Sequence, residues 1–439
     1  MKSKLELQIE HIRSFASEQS IPIRPITLLV GENSSGKSTF LAIASCVLNP
    51  EASPVKPPFN EPPYGLGNYE TIATYKAGRY GRNDSFSMGF EFEKSRSLTK
   101  RKVTATYCQE NGQPILARYQ DEEMNRQFTL NIKDRIVSGS LTFSPTQNSP
   151  VERIDIGGEK QKDLVLNDHL YDFLQFADLR RTYFPLIIRE MQFQRPELRN
   201  KLLHTVMFKP PVEPFTETFS FAPIRTKPKR TYDESKEDYS PEGEHIPSLL
   251  ARYLSEQPLS QAAQLVVDAL HEFGQDSGLF RQLEVKKLGK GPADPFQIQV
   301  GTGGPKANLV DVGYGISQAM PVIVQSVLRQ KRSLLLIQQP EVHLHPRAQA
   351  ALGTFFAKLA AKGDSTYIIE THSDHLVDRI RQEVANGVLK PEDVQILFFD
   401  RPKLETTVYP ISLDEMGNVL DAPEQYRRFF LEEEMRLFT

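Results

Sequence analysis

The 439-residue chain has only two cysteines, Cys46 and Cys108. That is too few for a disulfide framework or a thiolate metal cage, and it is a number that a reducing compartment tolerates. No apolar run is long enough to cross a membrane, and the N-terminus, MKSKLELQIEHIRSF, alternates apolar and polar residues where a signal peptide would carry a continuous apolar stretch. Charge of one sign is lacking too. With 53 basic against 56 acidic residues the net charge is −3, so no overall positive field holds the chain on nucleic acid or an anionic membrane, and any such contact must be a local patch. Heptad runs and internal repeats are also absent, which excludes long coiled-coil arms and solenoids. What remains, 39% hydrophobic and 25% charged residues, is globular composition, and the expectation is a cytoplasmic protein of one large or two to three ordinary domains with no membrane partner.

Patterning divides the chain. LELQIEHI at 5–12 alternates and reads as a half-buried strand, whereas ITLLV at 26–30 is continuously apolar and reads as a strand buried on both faces. Residues 49–71, crowded with Pro and Gly, read as a long loop. Short alternating stretches at 85–93, 102–108, 128–132 and 140–143 predict a meandering antiparallel sheet. Helical patterns follow at 167–205 and 247–274, separated by a polar loop at 225–247. From about 308 onward, apolar strands (SLLLI, STYII, VQILFF) alternate with amphipathic helices, the pattern of a parallel α/β unit. The expected organisation is an N-terminal ATPase lobe at 1–110, a β/helical insertion at 111–300 and a C-terminal lobe at 301–439.

The strongest motif is VGENSSGKST. Gly31, Gly36, Lys37 and Ser38 fit G-x-x-x-x-G-K-[ST], between the strand ITLLV and the helical pattern FLAIASCVL. Glycines let the backbone curl so that its N–H groups face phosphate oxygens, Lys37 reaches the β- and γ-phosphates, and the Ser38 hydroxyl can sit on Mg²⁺. In SLLLIQQPEVHLHP at 333–346 an apolar strand ends in Gln338, Gln339, Pro340 and Glu341, where a Walker B carboxylate would hold Mg²⁺ and orient water. Of that cluster only Glu341 is acidic; an amide at Gln338 supplies no charge to a metal. His343 and His345 invite a metal reading, but without a thiolate or an obvious fourth ligand a phosphate-side loop is the stronger expectation. In NLVDVGYGISQAMPVIVQSVLRQ at 308–330, Gly313, Tyr314 and Gly315 precede a helix expected to begin near Ser317, with Pro321 tolerable in its first turn. Last, STYIIE leads into Thr371, His372, Ser373 and Asp374, which puts a histidine at the C-terminal end of a strand, where open α/β sheets bind ligands.

In this order the motifs resemble the ABC-type ATPases, most closely the RecF/SMC-like branch that includes the OLD proteins and the AAA-family ATPases of anti-phage systems. The resemblance rests on HIRSF (11–15), LGNYETI (66–72), FAPIRTKPKRTY (221–232), DVGYGISQAMPVIVQ (311–325), QQPEVHLHPRAQ (338–349), ETHSDHL (370–376) and DEMGN (414–418). It implies an α/β fold: a P-loop ATPase head with a mixed sheet flanked by helices, an antiparallel β subdomain and a helical insertion. It implies ATP and Mg²⁺ as cofactors. Gly31, Glu32, Asn33, Ser34, Ser35, Gly36, Lys37, Ser38 and Thr39 would form the phosphate loop, with Ser38 and Gln338 on the metal. Gln338, Gln339 and Glu341 would be the catalytic cluster, and His372 the γ-phosphate switch. Gly315 and Ser317 would be a signature reaching the nucleotide of a second subunit.

One departure bears on activity. Relatives read I-E-Q-P-E or I-E-E-P-E, and this chain has Gln338 at the first acidic position, which puts hydrolysis in doubt and leaves ATP binding untouched. The implied partners are a second copy of the chain across bridging ATP, a separate effector such as a Toprim-like nuclease, and a phage-encoded trigger. No nuclease carboxylate cluster is evident in the chain itself. The alternative is a RecF-like DNA clamp, supported by the basic runs KSRSLTKRK (94–102) and RTKPKR (225–230). About 275 residues separate the P-loop from the signature, too many for the connecting loop of a transporter ATPase.

Overall fold

A computed structural model describes residues 4–165 and 213–428, less short breaks at 55, 77–80, 95–98, 124–125, 134–135, 144–151, 157–163, 234–237, 256–257, 290, 292–293, 330, 364 and 427. Two compact units emerge, and each is assembled from three stretches of chain: Met1–Ile23, Thr39–Phe215 and Arg401–Val408 in the first, Arg24–Ser38, Thr216–Asp400 and Tyr409–Thr439 in the second. The three consecutive segments expected from the sequence do not coincide with them. The boundary at 110/111 falls in the turn between Thr99–Glu110 and Gln113–Glu123, which pair antiparallel as neighbours in one sheet.

The first unit is built on a nine-stranded sheet. The expected meander is present as Ser85–Lys94, Thr99–Glu110, Arg126–Lys133 and Ile136–Phe143. The sequence reading missed Gln113–Glu123, whose QPILARYQDEE alternates only in part, and it did not foresee that Lys4–Glu10 and Gln19–Ile23 join this same sheet. Alternating burial along Lys4–Glu10 is that of a strand with one face on a core. Two of the resemblance segments meet here: the Arg13 guanidinium of HIRSF donates to the carbonyls of Gly65 and Leu66 and to the Thr39 hydroxyl. The helical pattern at 167–205 lies outside the described residues.

The second unit holds a seven-stranded sheet in the order Glu217–Phe221, Ser333–Gln338, Ser365–Glu370, Ile26–Gly31, Val394–Asp400, Thr407–Leu413, Val419–Leu420. The first five strands are parallel. Parallel strands need crossover connections, and here the helices Pro346–Ala361 and Asp374–Ala385 supply them. Strands covered on both faces explain the unbroken apolar runs: every residue of Ile26–Gly31 and of Ser333–Gln338 is buried. The core continues into the helices Ile246–Ser255, Gln261–Ser277 and Tyr314–Leu328 and a small three-stranded sheet. The expected α/β head with an antiparallel β subdomain is therefore what the chain forms.

The helix expected near Ser317 starts earlier, at Tyr314, which puts Pro321 in its interior. An interior proline forfeits a backbone hydrogen bond and costs roughly 3 kcal/mol. Burial of every residue from Gly315 to Ser326 outweighs that cost.

Candidate functional site

Because the central strands run parallel, their C-terminal ends gather at one edge, and the phosphate-loop motif starts there. At Gly31 (φ 139°) a Cβ would lie 2.4 Å from the Phe399 carbonyl oxygen, so the neighbouring strand admits only glycine. Ser34 (φ 63°) and Gly36 (φ 110°) turn the loop through the left-handed region before the helix Lys37–Leu48 begins. Glu32, Asn33 and Ser34 are exposed, whereas Ser35 and Lys37 are buried. The Lys37 ammonium folds back onto its own loop, donating to the carbonyls of Gly31 (2.8 Å) and Glu32 (2.7 Å). Burial lowers its pKa, and the charges of Glu370 and Glu32 oppose that shift.

Lys37 and Ser38, expected to face the phosphates and Mg²⁺, thus sit together on the second unit. The Ser38 hydroxyl is 2.9 and 3.1 Å from the two carboxylate oxygens of Glu370. That glutamate was missed by the sequence reading, which counted the polar residues after the strand and not the carboxylate that ends it. It is 4% exposed. Register explains its position: Gln338, Glu370 and Leu29 are Cα partners in one row across three strands, so their side chains leave the same face.

The cluster after Ser333–Gln338 does two different things. Gln338 is buried, and its side-chain oxygen has no hydrogen-bond partner among the described residues. Gln339 turns at φ 42° and donates its amide to the Glu370 carbonyl. Glu341, the one acid recognised in the cluster, accepts the His372 amide at 2.7 Å. Burial pushes its carboxyl pKa up, against the hydrogen bonds from the His372 and Glu341 amides and the Thr371 hydroxyl and against the Arg225 charge. Glu341 is thus not the one carboxylate at these strand ends: the strand beside the phosphate loop contributes Glu370, and Glu341 holds the His372 amide.

His372 is exposed, and the surrounding protein, then the charge of Lys37, hold its imidazole below the ordinary pKa. Ser373 caps the helix Asp374–Ala385. His345 likewise caps Pro346–Ala361 through Nδ1, and His343 lies against the Tyr314 ring. Among the described residues no group of three or more His, Cys, Asp and Glu side chains gathers to bind a metal.

A second buried residue that the sequence reading missed is Arg225. It was counted in the basic run RTKPKR, yet it is 2% exposed. Its backbone is clasped by the Gln318 side chain, and Nη2 donates to the Gln338 carbonyl at 3.1 Å. Nε and Nη1 have no partner among the described residues, and burial pulls the pKa down to about 10 despite the Glu341 carboxylate. No feature of the sequence separates it from Lys227 and Lys229, which are exposed.

Gly315 and Ser317 open the helix Tyr314–Leu328, whose start has no side-chain cap. A Cβ on Gly315 would stand 3.0 Å from the His343 carbonyl and from Leu344, so this glycine lets the helix approach the loop after Gln338. Ser317 is buried, and its hydroxyl donates to the Tyr314 carbonyl.

A model described as AAA domain matches residues 6–206, and one described as AAA ATPase domain matches 213–377. Both matched models are of AAA ATPase type. Over 90 residues, 20% of its length, the chain is 31% identical to the OLD nuclease of Thermus scotoductus, and the match spans 17% of that protein. Among solved structures it is similar to the SMC head bound to the C-winged helix domain of ScpA, with a TM-score of 0.41 and 10% identity over 94% of this chain and 98% of that one. The SMC head domain from Thermotoga maritima matches with a TM-score of 0.36 and 12% identity, over 93% and 99%. Among the described residues no helix is long and apolar enough to cross a membrane.

Proposed function

We propose that the chain binds ATP with Mg²⁺ at residues 31–39 and works as a cytoplasmic ABC-type head, an ATP-dependent sensor or scaffold that holds or releases a separate effector. The observation that carries the reading is the buried Lys37 ammonium. Its two carbonyl partners are weak substitutes for phosphate oxygens. The donor set fits the metal as well: a hydroxyl, a buried carboxylate beside it and an unpartnered amide oxygen are all hard oxygen ligands. Mg²⁺, when bound, neutralises charge on the β- and γ-phosphates.

The chain's own residues divide the remaining work. Lys37 binds phosphate oxygens, Ser38 and Gln338 orient the metal, and His372, kept neutral, faces the terminal phosphate. Gly315 and Ser317 serve a second copy of the chain across the nucleotide. Neither Gln338 nor Gln339 can accept a proton, so turnover is slow and ATP is held at the interface.

The finer assignment is to anti-phage defence. The motifs resemble most the ATPase subunit of the PARIS system, which pairs with a Toprim-like nuclease, and the short match to an OLD nuclease supports a nuclease link. A phage protein would be the trigger. The RecF-like clamp has less support, because part of its basic runs is engaged. Arg101 and Arg225 are buried, Lys100 pairs with Glu91, and Arg230 pairs with Asp311. The test is Lys37→Ala, checked for folding by circular dichroism. It should lose ATP affinity at least about a hundredfold, roughly 2.7 kcal/mol, together with any ATP-driven increase in mass by light scattering. Unchanged affinity sinks the reading.

A further inference from the structure

At the end of Ser333–Gln338 the chain offers the metal side of the nucleotide an amide and no charge. The structure supplies one from a neighbouring strand. Glu370 is the last residue of Ser365–Glu370, is 4% exposed, and both of its carboxylate oxygens lie within hydrogen-bond distance of the Ser38 hydroxyl. It is close enough to Lys37 to raise that ammonium's pKa against burial. In the adjacent strand its register partner is Gln338, whose buried side-chain oxygen has no donor among the described residues.

A buried carboxylate at the mouth of a phosphate loop is electrostatically wrong for an anion alone. It repels the phosphates it faces, and the repulsion is strong where water is excluded. Lys37 does not remove the conflict, because its charge is needed by the phosphates themselves. A divalent cation between carboxylate and phosphate turns repulsion into attraction and gives the Gln338 oxygen a partner. We infer that Glu370 is the charged protein ligand of the divalent cation at this site, joined by the Ser38 hydroxyl and the Gln338 amide oxygen. The carboxylate is thereby displaced by one strand from the position where the sequence motif expects it. This rests on the ATP reading above.

The experiment titrates a fluorescent ATP analogue into the full chain, once with Mg²⁺ and once in EDTA, for the wild type, Glu370→Gln, Glu370→Asp and Lys37→Ala. Free Mn²⁺ in the presence of nucleotide is followed by electron paramagnetic resonance. Mg²⁺ should tighten nucleotide binding by the wild type at least tenfold. Glu370→Gln should lose that increment and bind Mn²⁺ at least tenfold more weakly, while its affinity in EDTA stays equal or rises because a repelling charge is gone. Glu370→Asp, which keeps the charge, should retain part of the increment and shows that the loss is not one of folding. A Glu370→Gln protein that melts like the wild type and keeps the full Mg²⁺ increment overturns the inference and leaves ATP binding standing. Wild-type affinity in Lys37→Ala overturns the ATP reading itself, in either medium.

Discussion

Two buried arginines, one in each unit, show how differently this chain treats charge. Arg101 lies in the antiparallel sheet with no exposed side-chain surface. Its Nε and Nη2 meet both oxygens of Asp121 at 2.9 and 2.8 Å, and Nη1 meets Glu213 at 2.8 Å. Burial alone would lower its pKa, but the paired carboxylates raise it well above the ordinary value. Arg225 is equally buried yet gives one guanidinium hydrogen bond, to a backbone carbonyl, and its pKa falls to about 10. Satisfied buried ions specify a fold; partly satisfied ones at strand ends mark a place where chemistry is expected.

Mutation should separate the two kinds of site most sharply through stability. Arg101→Ala leaves two carboxylates facing a protein interior without their cation and should cost about 3–5 kcal/mol. The companion Arg225→Met, which keeps volume and removes a poorly paired charge, should change stability by less than about 1 kcal/mol. Urea unfolding of both proteins measures this, and equal losses would erase the distinction.

A smaller effect is expected at Gln338. Were no other carboxylate near the metal, Gln338→Glu would raise phosphate release at least about tenfold, or roughly 1.4 kcal/mol of barrier. Glu370 already stands beside Ser38, so the gain should stay below about tenfold. Steady-state phosphate release from the two proteins decides, and a larger gain returns the missing charge to position 338.

The smallest effect concerns His372, whose exposed imidazole is held below its ordinary pKa by its surroundings and by Lys37. As pH falls past the unfolded-state value of about 6.5, the unfolded chain takes up the proton before the folded one does. Stability contributed by the neutral ring is therefore complete above that pH and is lost as pH drops toward the folded value. Unfolding at pH 7.5 and 5.5 should show a slightly shallower acid loss in His372→Gln than in the wild type. An identical loss in both proteins would show that the ring titrates alike in the two states.

The phosphate loop was legible because its chemistry is local: the glycines, Lys37 and Ser38 are contiguous, and the strand and helix around them announce themselves by period. The parallel unit was legible for the same reason, since strands covered on both faces must be continuously apolar. Unit boundaries were not, because the two cores draw on strands from distant parts of the chain and sequence order carries no record of such exchanges.

Sequence by itself determined that this chain has a phosphate loop followed by polar clusters at strand ends. Only the tertiary structure decided which polar residues stand beside it. Register sets Glu370 beside Gln338 and brings it to Ser38, while Glu341, three residues beyond Gln338, is turned by the loop onto His372. Arg225, indistinguishable in sequence from its lysine neighbours, is buried at the same strand end. The physical reason is that a residue's type states what it can bind, but the dielectric around it and the partners within reach are set by strands hundreds of residues apart.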